Sequence, residues 1–494
     1  MNFDSALTKI GEFGPYQRIQ YFIVNTVTIP MYFQLLISVF LAAQPQWKCL
    51  GQPNEPLCKP DGTACSKSVY TSNFTSIATE WGLICGNTYK SEAAQSVYMA
   101  GALVGALAAG LMSDKYGRRI VWCVCIIANC IFGVLSAFSP SLYLFYVVRF
   151  FHGIFIQGGT LVTFVLATEM IGSSYRAVAA MSVSMFAAVS FVLLALLANT
   201  FRNWRSLMIV SVVPQIVSIF SMYLVPESPR WLLFQGRVQE AEDIINEAAS
   251  ANGLSIPKIS LEKSGGPNAK PGGTPENVSL LSLFKRKSIR SITMVMLISF
   301  VVNGIGYFGI SMSVSRLGED MHVNFALSGL VEVPSYLVGV PLLNRIGRQK
   351  SNFVFTFGAA IACWWCMRLQ QAEVVNSMLV TCAALFGKFC VSATNAVLYT
   401  YAAELYPTVV RNMALGVLTV SSRIGAIAAP FIVLLGNENR STPMFIISIV
   451  TLSAALLGLK LPETKGKPLP QTFDDLVHKT VFVGTRRQIY IPSS

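Results

Sequence analysis

Two basic residues lie where an apolar sequence should exclude charge. Lys388 falls near the middle of the apolar stretch 377–400, and Arg423 near the middle of the stretch 413–434. On insertion scales a charge at the centre of a membrane helix costs roughly 2.5–3.5 kcal/mol, so such residues face a partner or a water-filled cavity. A cation there can attract a carboxylate or a sulfonate. Pairing with Glu332 is the structural alternative for either side chain.

Three apolar stretches carry polar or aromatic side chains along one helix face, because residues three, four or seven positions apart share a face. The three faces consist of Lys388, Ser392, Asn395 and Tyr399; of Asn303 and Tyr307; and of Gln157, Thr160 and Phe164. They can line one central cavity, in which aromatic rings contact a ring or a quaternary ammonium, unless the rings only pack between helices. The predicted substrate-binding residues are Arg423, Lys388, Tyr307, Tyr399, Asn395, Gln157 and Phe308.

No group of residues in the sequence indicates an enzyme. The histidines His152, His322 and His478 are scattered, and phosphate-loop, zinc-protease and serine-elbow motifs are missing. We therefore expect no catalytic residue, no metal site and no cofactor. His152 is interpreted as a polar residue facing a helix bundle or, alternatively, as a protonation switch, since histidine titrates near neutral pH.

The composition places most of the chain in a lipid bilayer. Its mean hydropathy is +0.54 and 12% of its residues are charged, whereas a soluble domain carries about 25%. Twelve apolar stretches are long enough, or nearly so, to cross about 30 Å as helices. The sequence therefore predicts an all-α membrane protein with twelve transmembrane helices. The predicted spans are 20–42, 93–112, 120–138, 142–165, 178–199, 206–225, 289–311, 324–343, 352–370, 377–400, 413–434 and 442–461.

The net charge of +13 fits membrane topology better than nucleic-acid binding. With residue 1 inside, most Lys and Arg residues fall in cytoplasmic segments, as the positive-inside rule requires. We expect no nucleic-acid partner, no cleaved signal peptide, and a multi-pass protein of the plasma membrane with both termini cytoplasmic.

The loop 43–92, between the first two spans, has the features of an oxidising compartment. Four cysteines in it predict two disulfides, with three possible connectivities. They are Cys49, Cys58, Cys65 and Cys85. Asn73 begins an N-glycosylation motif that ends at Thr75. Both modifications require the lumenal or extracellular side.

Three motifs occur twice, at a near-constant offset, which indicates two parallel copies of one unit. The pairs are 114–119 with 344–349, the Glu169/Arg176 pair with Glu404/Arg411, and 226–230 with 462–465. They predict two pseudo-symmetric six-helix bundles, at 1–225 and 289–494, joined by a cytoplasmic helical loop and linker at 226–288. Within that loop, Ser228 and Pro229 predict the start of one helix over 228–252. The Gly/Pro-rich segment 264–275 predicts a linker.

Charges in the repeated motifs predict a latch on the cytoplasmic face. Gly117 and residue 347 permit tight turns, and the adjacent arginines can pair with glutamates at neighbouring helix ends. Such pairs would form when this side is closed and break when it opens, although the same arginines also set topology. The predicted latch residues are Asp114, Gly117, Arg118, Arg119, Glu169, Arg176, Glu227, Arg230, Arg348, Glu404 and Arg411.

These motifs resemble the major facilitator superfamily, and more narrowly its organic cation, organic anion and carnitine/zwitterion transporters, over nearly the whole chain. The resemblance is carried by the segments 114–119, 226–233, 404–412 and 461–466. Segments 306–309, 331–334 and 387–389 resemble the carnitine/zwitterion branch, and segment 94–101 the anion branch.

The resemblance implies a secondary transporter in which two halves rock to alternate access. The substrate would carry a negative group that faces Arg423, because the cation branch has an aspartate at this position. Gly159-Thr160 and Met31 replace polar or bulkier residues of the carnitine branch, and Asn344 replaces an aspartate of the second turn motif. The expected partners are a small organic ion and the bilayer, with sodium or proton coupling left open. The alternatives are an organic cation transporter, or a membrane receptor or trafficking protein of this fold that does not transport.

Overall fold

The chain forms two compact helical units. The computed structural model describes residues 3–50, 57–59, 61, 63–65, 68–254, 261, 282–285, 287–317, 320–374, 376–407 and 410–466. Unit 1 comprises Met1–Thr274, Ser311–Val333 and Ile427–Glu438, and unit 2 comprises Pro275–Ile310, Pro334–Ala426 and Asn439–Ser494. Two short segments of the second half therefore belong to unit 1. The predicted division at 226–288 stays a prediction.

The first half of the chain contains thirteen α-helices in its described part. They are α1 (Phe3–Ile10), α2 (Pro15–Thr26), α3 (Thr28–Leu36), α4 (Ser38–Leu41), α5 (Ile77–Glu80), α6 (Tyr89–Tyr116), α7 (Arg118–Ala137), α8 (Leu142–Glu169), α9 (Ser173–Thr200), α10 (Trp204–Ser218), α11 (Ser221–Leu224), α12 (Pro229–Phe234) and α13 (Val238–Ala251).

The described part of the second half contains eight more. They are α14 (Ser282–Lys285), α15 (Lys287–Ser315), α16 (Met321–Leu330), α17 (Glu332–Ile346), α18 (Arg348–Gln370), α19 (Ser377–Leu405), α20 (Arg411–Leu434) and α21 (Thr442–Gly458).

Membrane-spanning length is confirmed for ten of the twelve predicted apolar stretches. Among the described residues, ten helices are long and apolar enough to cross a membrane, and two shorter apolar helices occur at Met185–Thr200 and Thr442–Gly458. Each of the twelve predicted spans coincides with one of these helices. The all-α membrane fold expected from the composition is therefore present.

Three of the spans are broken rather than continuous, contrary to the prediction of a single helix for each; the sixth is interrupted after Ser218. The first is interrupted after Thr26 and the eighth after Leu330. Pro30 and Pro334 stand four residues beyond these ends. A proline has no N–H to donate to the carbonyl four residues earlier, and its ring clashes with that carbonyl. The breaks of the first and eighth spans therefore fall where a proline removes one helical hydrogen bond.

The loop after the first span is held together as predicted by two disulfides. They join Cys49 to Cys65 and Cys58 to Cys85, which selects one of the three connectivities. Strand β1 (Trp47–Cys49) pairs antiparallel with strand β2 (Ser68–Tyr70). Asn73 lies beyond β2 and is exposed, so burial would not hinder the attachment of a glycan.

The helix predicted over 228–252 is in fact two helices, α12 and α13. Its start is confirmed, because the Ser228 hydroxyl accepts from the Trp231 N–H and Pro229 is the first helical residue. The chain then turns at Gly236, whose φ of +79° suits glycine and strains other residues. The predicted linker 264–275 and the tail beyond 466 lie outside the described residues.

Candidate functional site

Arg423 lies on α20 where this helix approaches α15 very closely, inside unit 2. A Cβ on Gly425 would fall 2.0 Å from the Val301 carbonyl oxygen, and one on Gly304 would fall 2.2 Å from that of Ser422. Small residues thus let two membrane helices touch backbone to backbone. This contact fixes the segment of α20 that carries Arg423.

The Arg423 guanidinium is half-buried and incompletely bonded. Its Nε is buried and has no hydrogen-bond partner among the described residues. A guanidinium donor left unpaired in a membrane helix is costly, and its fork geometry suits a carboxylate. The Nε–H of Arg423 is therefore available to donate a hydrogen bond to an anionic ligand.

Lys388 on α19 is fully buried in unit 2. Its Nζ lies 3.2 Å from the centroid of the Tyr307 ring on α15. A desolvated cation over an aromatic face gains about 2 kcal/mol, which offsets part of the cost of burying the charge. Two predicted substrate-binding residues, Lys388 and Tyr307, are therefore in contact. The Lys388 ammonium covers one face of the Tyr307 ring.

The remaining predicted pocket residues of unit 2 contact neighbouring helices. Asn395 accepts a hydrogen bond from the amide of Asn303 at 2.9 Å. The Tyr399 hydroxyl lies 3.3 Å from that of Thr419. Tyr399 also meets the ring of Phe300 edge to face, at 5.1 Å between centroids. The polar face of α19 is thus connected to both α15 and α20.

Two predicted substrate residues have more limited contacts. Phe308 is buried and meets Tyr307 edge to face at 5.2 Å between centroids. Gln157 belongs to unit 1, where it is buried and its backbone carbonyl accepts from the Thr160 hydroxyl at 3.0 Å. Their substrate-binding roles stay predictions.

The first turn motif forms a charge cluster inside unit 1. Arg118 lies 2.9 Å from Asp114 and 3.5 Å from Glu169. Glu227 accepts the backbone N–H groups of Arg118 and Arg119 at 3.0 and 3.1 Å. The turn residue Gly117 has a φ of +106°, and its missing Cβ would lie 2.5 Å from a Glu227 oxygen. Glycine is therefore required here both for conformation and for space.

The second turn motif repeats this geometry inside unit 2. Arg348 forms a bidentate pair with Glu404, at 2.8 and 2.7 Å. Glu463 accepts the backbone N–H of Arg348 at 2.9 Å and that of Gln349 at 3.2 Å. Burial works to raise the pKa of the Glu463 carboxyl, but backbone N–H donors, including these two, hold it below its usual value. The sequence interpretation omitted Glu463 from the site, although the repeat of Pro226-Glu227 pointed to it.

The other predicted latch residues have local partners. Arg230 pairs with Asp4 at 2.6 Å, and the Arg411 Nε donates to the Tyr406 carbonyl at 3.3 Å. The side chain of Arg176 lies outside the described residues. The described partners of Arg118 and Arg348 belong to the same unit as the arginine, so these contacts hold each unit's own helix ends together. A latch between the halves stays a prediction.

A buried cluster in unit 1 was missed by the sequence interpretation. The fully buried guanidinium of Arg149 donates to the Ser38 hydroxyl at 2.6 Å and lies 3.4 Å from His152 Nδ1. His152 Nε2 contacts the amide oxygen of Asn129. The neutral tautomer with Nε2–H satisfies both contacts, which favours a structural role for His152. The feature of the sequence that could have revealed this cluster is the charged Arg149 inside the apolar stretch 142–165, comparable to Lys388 inside its own stretch.

An ion pair between Glu92 on α6 and Arg316, just beyond α15, was also missed. The Glu92 carboxylate is fully buried. Arg316 and Asn73 both line a cavity of about 520 Å³ in unit 1. The pair thus ties the segment 311–333 to the second span.

Comparison with known proteins defines the class first. Residues 57–473 match the family described as "Sugar (and other) transporter". The solved structure of the xylose transporter XylE from E. coli in an inward open conformation aligns with a TM-score of 0.66, covering 95% of this chain and 99% of that one. Because the two sequences are only 14% identical, this similarity is evidence for a shared fold and for nothing further. The fold is that of a major facilitator transporter.

Sequence relatives narrow the class. The chain is 32% identical to human "Organic cation/carnitine transporter 2", over 96% of this chain and 94% of that protein. It is 32% identical to the "Organic cation transporter protein" of Drosophila melanogaster over the same shares. It is 35% identical to "Solute carrier family 22 member 15-like" of Xenopus tropicalis, over 96% of each. The chain belongs to the major facilitator superfamily, in the group that contains the organic cation and carnitine transporters. It is a multi-pass membrane transporter and not an enzyme.

Proposed function

We propose that this protein transports small organic ions that carry a negative group, either anions or zwitterions such as carnitine, and that Arg423 binds that group. The observation that carries the proposal is the buried Nε of Arg423, which lacks a hydrogen-bond partner among the described residues. Relatives named for organic cation and carnitine transport support the substrate class in its broad sense.

A transporter of pure cations fits the geometry of unit 2 less well. Lys388 and Arg423 are both cationic. One face of Tyr307 is already covered by the Lys388 ammonium, so that face is closed to a substrate ammonium. Like charges close together in a low-dielectric site are repulsive. We therefore place the cation transporter second.

The experiment is an uptake screen in cells with sodium and pH varied. Three labelled solutes represent the charge classes: carnitine, a dicarboxylate, and tetraethylammonium. We expect saturable uptake of carnitine or the dicarboxylate, and little of tetraethylammonium. Uptake of tetraethylammonium alone would contradict the proposal. Absence of all uptake despite surface expression would favour a receptor or trafficking role.

We also propose that the protein acts in the plasma membrane with the loop 43–92 outside. The two disulfides of this loop support an oxidising location. Labelling of an epitope inserted after Asn73 in intact cells tests this orientation. Labelling that requires permeabilised cells would contradict it.

A further inference from the structure

A cavity of ligand size lies inside unit 1. It has a volume of about 520 Å³, within the range of roughly 300–1,000 Å³ that is typical of small-molecule sites. Asn73 and Asn437 line it and are both exposed, so the cavity opens to the surface. The other lining residues lie within the segments 39–46, 71–74 and 312–321.

Arg316 gives this cavity a positive charge. It is the one charged side chain among the described residues that line the cavity, so this lining contains no carboxylate. The Arg316 side chain is 30% exposed, which leaves part of it open to a ligand. A cleft lined by one sign of charge raises the local concentration of ions of the opposite sign. The cavity is therefore suited to a solute with a negative group.

Arg316 connects the cavity to a buried carboxylate. Its Nη2 forms the ion pair with Glu92 Oε1, and Glu92 is fully buried and does not line the cavity. A guanidinium carries five N–H donors in a planar fork, and among the described residues Glu92 engages Nη2 alone. The remaining donors can bind a second carboxylate. Glu92 thus holds the guanidinium in place without using up its capacity to bind an anion.

Neutral residues of the lining add further contacts for a small organic ion. The Ser72 hydroxyl oxygen is buried and has no hydrogen-bond partner among the described residues. An unsatisfied buried hydroxyl is costly, so it favours a ligand that bonds to it. Phe74 lines the same cavity, and an aromatic face attracts a quaternary ammonium. A carboxylate at Arg316 and an ammonium at Phe74 would together match a zwitterion.

We propose that this cavity is an entry site, at which Arg316 binds the carboxylate of an incoming solute before the solute reaches Arg423. The ligand class is a small carboxylate or a zwitterion that contains one. Neither Arg423 nor Lys388 lines the cavity, so the two sites can be tested separately. The role in uptake rests on the proposed function, whereas binding of a carboxylate in the cavity does not.

The test measures the charge preference of a cysteine placed in the cavity wall. The full-length Asn437→Cys protein is purified in detergent without reductant. Its modification rates are compared for two methanethiosulfonate reagents, one with a sulfonate and one with a trimethylammonium group, and the unsubstituted protein gives the background. We expect the sulfonate reagent to react faster. Carnitine should protect the introduced cysteine, and carnitine methyl ester, which lacks the carboxylate, should not.

Charge variants of the Asn437→Cys protein assign the preference to Arg316. The double variant Glu92→Gln/Arg316→Gln leaves no buried carboxylate unpaired, so it should fold. It should lower the ratio of the sulfonate rate to the ammonium rate several-fold and abolish protection by carnitine. Glu92→Gln alone should raise the ratio, because Arg316 loses its counter-charge. The control Arg202→Gln changes an exposed arginine outside the lining and should leave the ratio and the protection unchanged.

The possible outcomes separate this site from the one at Arg423. An unchanged ratio in the double variant would overturn the entry site, as would equal protection by carnitine and its methyl ester. Protection should persist in Arg423→Asp, and its loss there would overturn the entry site by assigning the protection to Arg423. Protection without uptake of any solute would support the site and count against the proposed function. Uptake of carnitine without a sulfonate preference would overturn the entry site alone.

Discussion

Replacing the glycine of the second turn motif should destabilise unit 2 severely. Gly347 has a φ of +98° and a ψ of 170°, a region occupied essentially by glycine alone, and other residues cost roughly 1–3 kcal/mol there. In Gly347→Ala the new Cβ would also meet a Glu463 oxygen at 2.4 Å. That carboxylate must move and lose at least one charge-assisted hydrogen bond, at about 1.5–3 kcal/mol. The expected loss is therefore about 2.5–6 kcal/mol.

The assay is thermal unfolding in detergent, followed by tryptophan fluorescence. The matched control is Gly416→Ala on α20, where an added Cβ meets nothing within 4 Å. Alanine in a helix interior should stabilise by roughly 0.5–1 kcal/mol there. The reasoning would be refuted if the two variants unfolded at the same temperature.

Three further outcomes follow from other contacts. Arg316→Met should destabilise unit 1 by about 3–5 kcal/mol, because the buried Glu92 carboxylate loses its partner; unchanged unfolding would contradict this. The hydrogen bonds of Arg205 lower the pKa of Glu80 below 4.5, so this group stabilises the fold above that pH and less as pH falls through the lowered value. Glu80→Gln should therefore be less stable than the parent at pH 7, and the gap in melting temperature should shrink below pH 4.5. Asn73→Gln should abolish the glycosidase-sensitive mobility shift, and a remaining shift would place the glycan elsewhere.

The membrane spans were readable from the sequence because a single local rule, length of apolar sequence, determines them. The breaks at Pro30 and Pro334 were equally readable, since each proline forbids one hydrogen bond four residues earlier. They were overlooked because a hydropathy pattern does not register a missing donor. Gly236 divided the predicted helix 228–252 for a comparable local reason.

The partners of the charges could be predicted only in part. The repeated motifs predicted glutamate partners for their arginines without assigning pairs, and the structure places Arg118 3.5 Å from Glu169 and Arg348 2.7 Å from Glu404. The contact between Lys388 and Tyr307 depends on how α19 packs against α15, which no spacing within one helix contains.

The most direct test of the central claim is the charge preference set by Arg423. The measurement is the ratio of initial uptake rates for carnitine and its methyl ester, which lacks the carboxylate, normalised to surface expression. The parent protein should prefer carnitine. Arg423→Asp should lower this ratio at least tenfold, since a charge-assisted hydrogen bond contributes about 1.5–3 kcal/mol, while the exposed control Arg440→Asp leaves it unchanged. A ratio that stays at the parent value in Arg423→Asp would contradict Arg423 as the residue that binds the negative group.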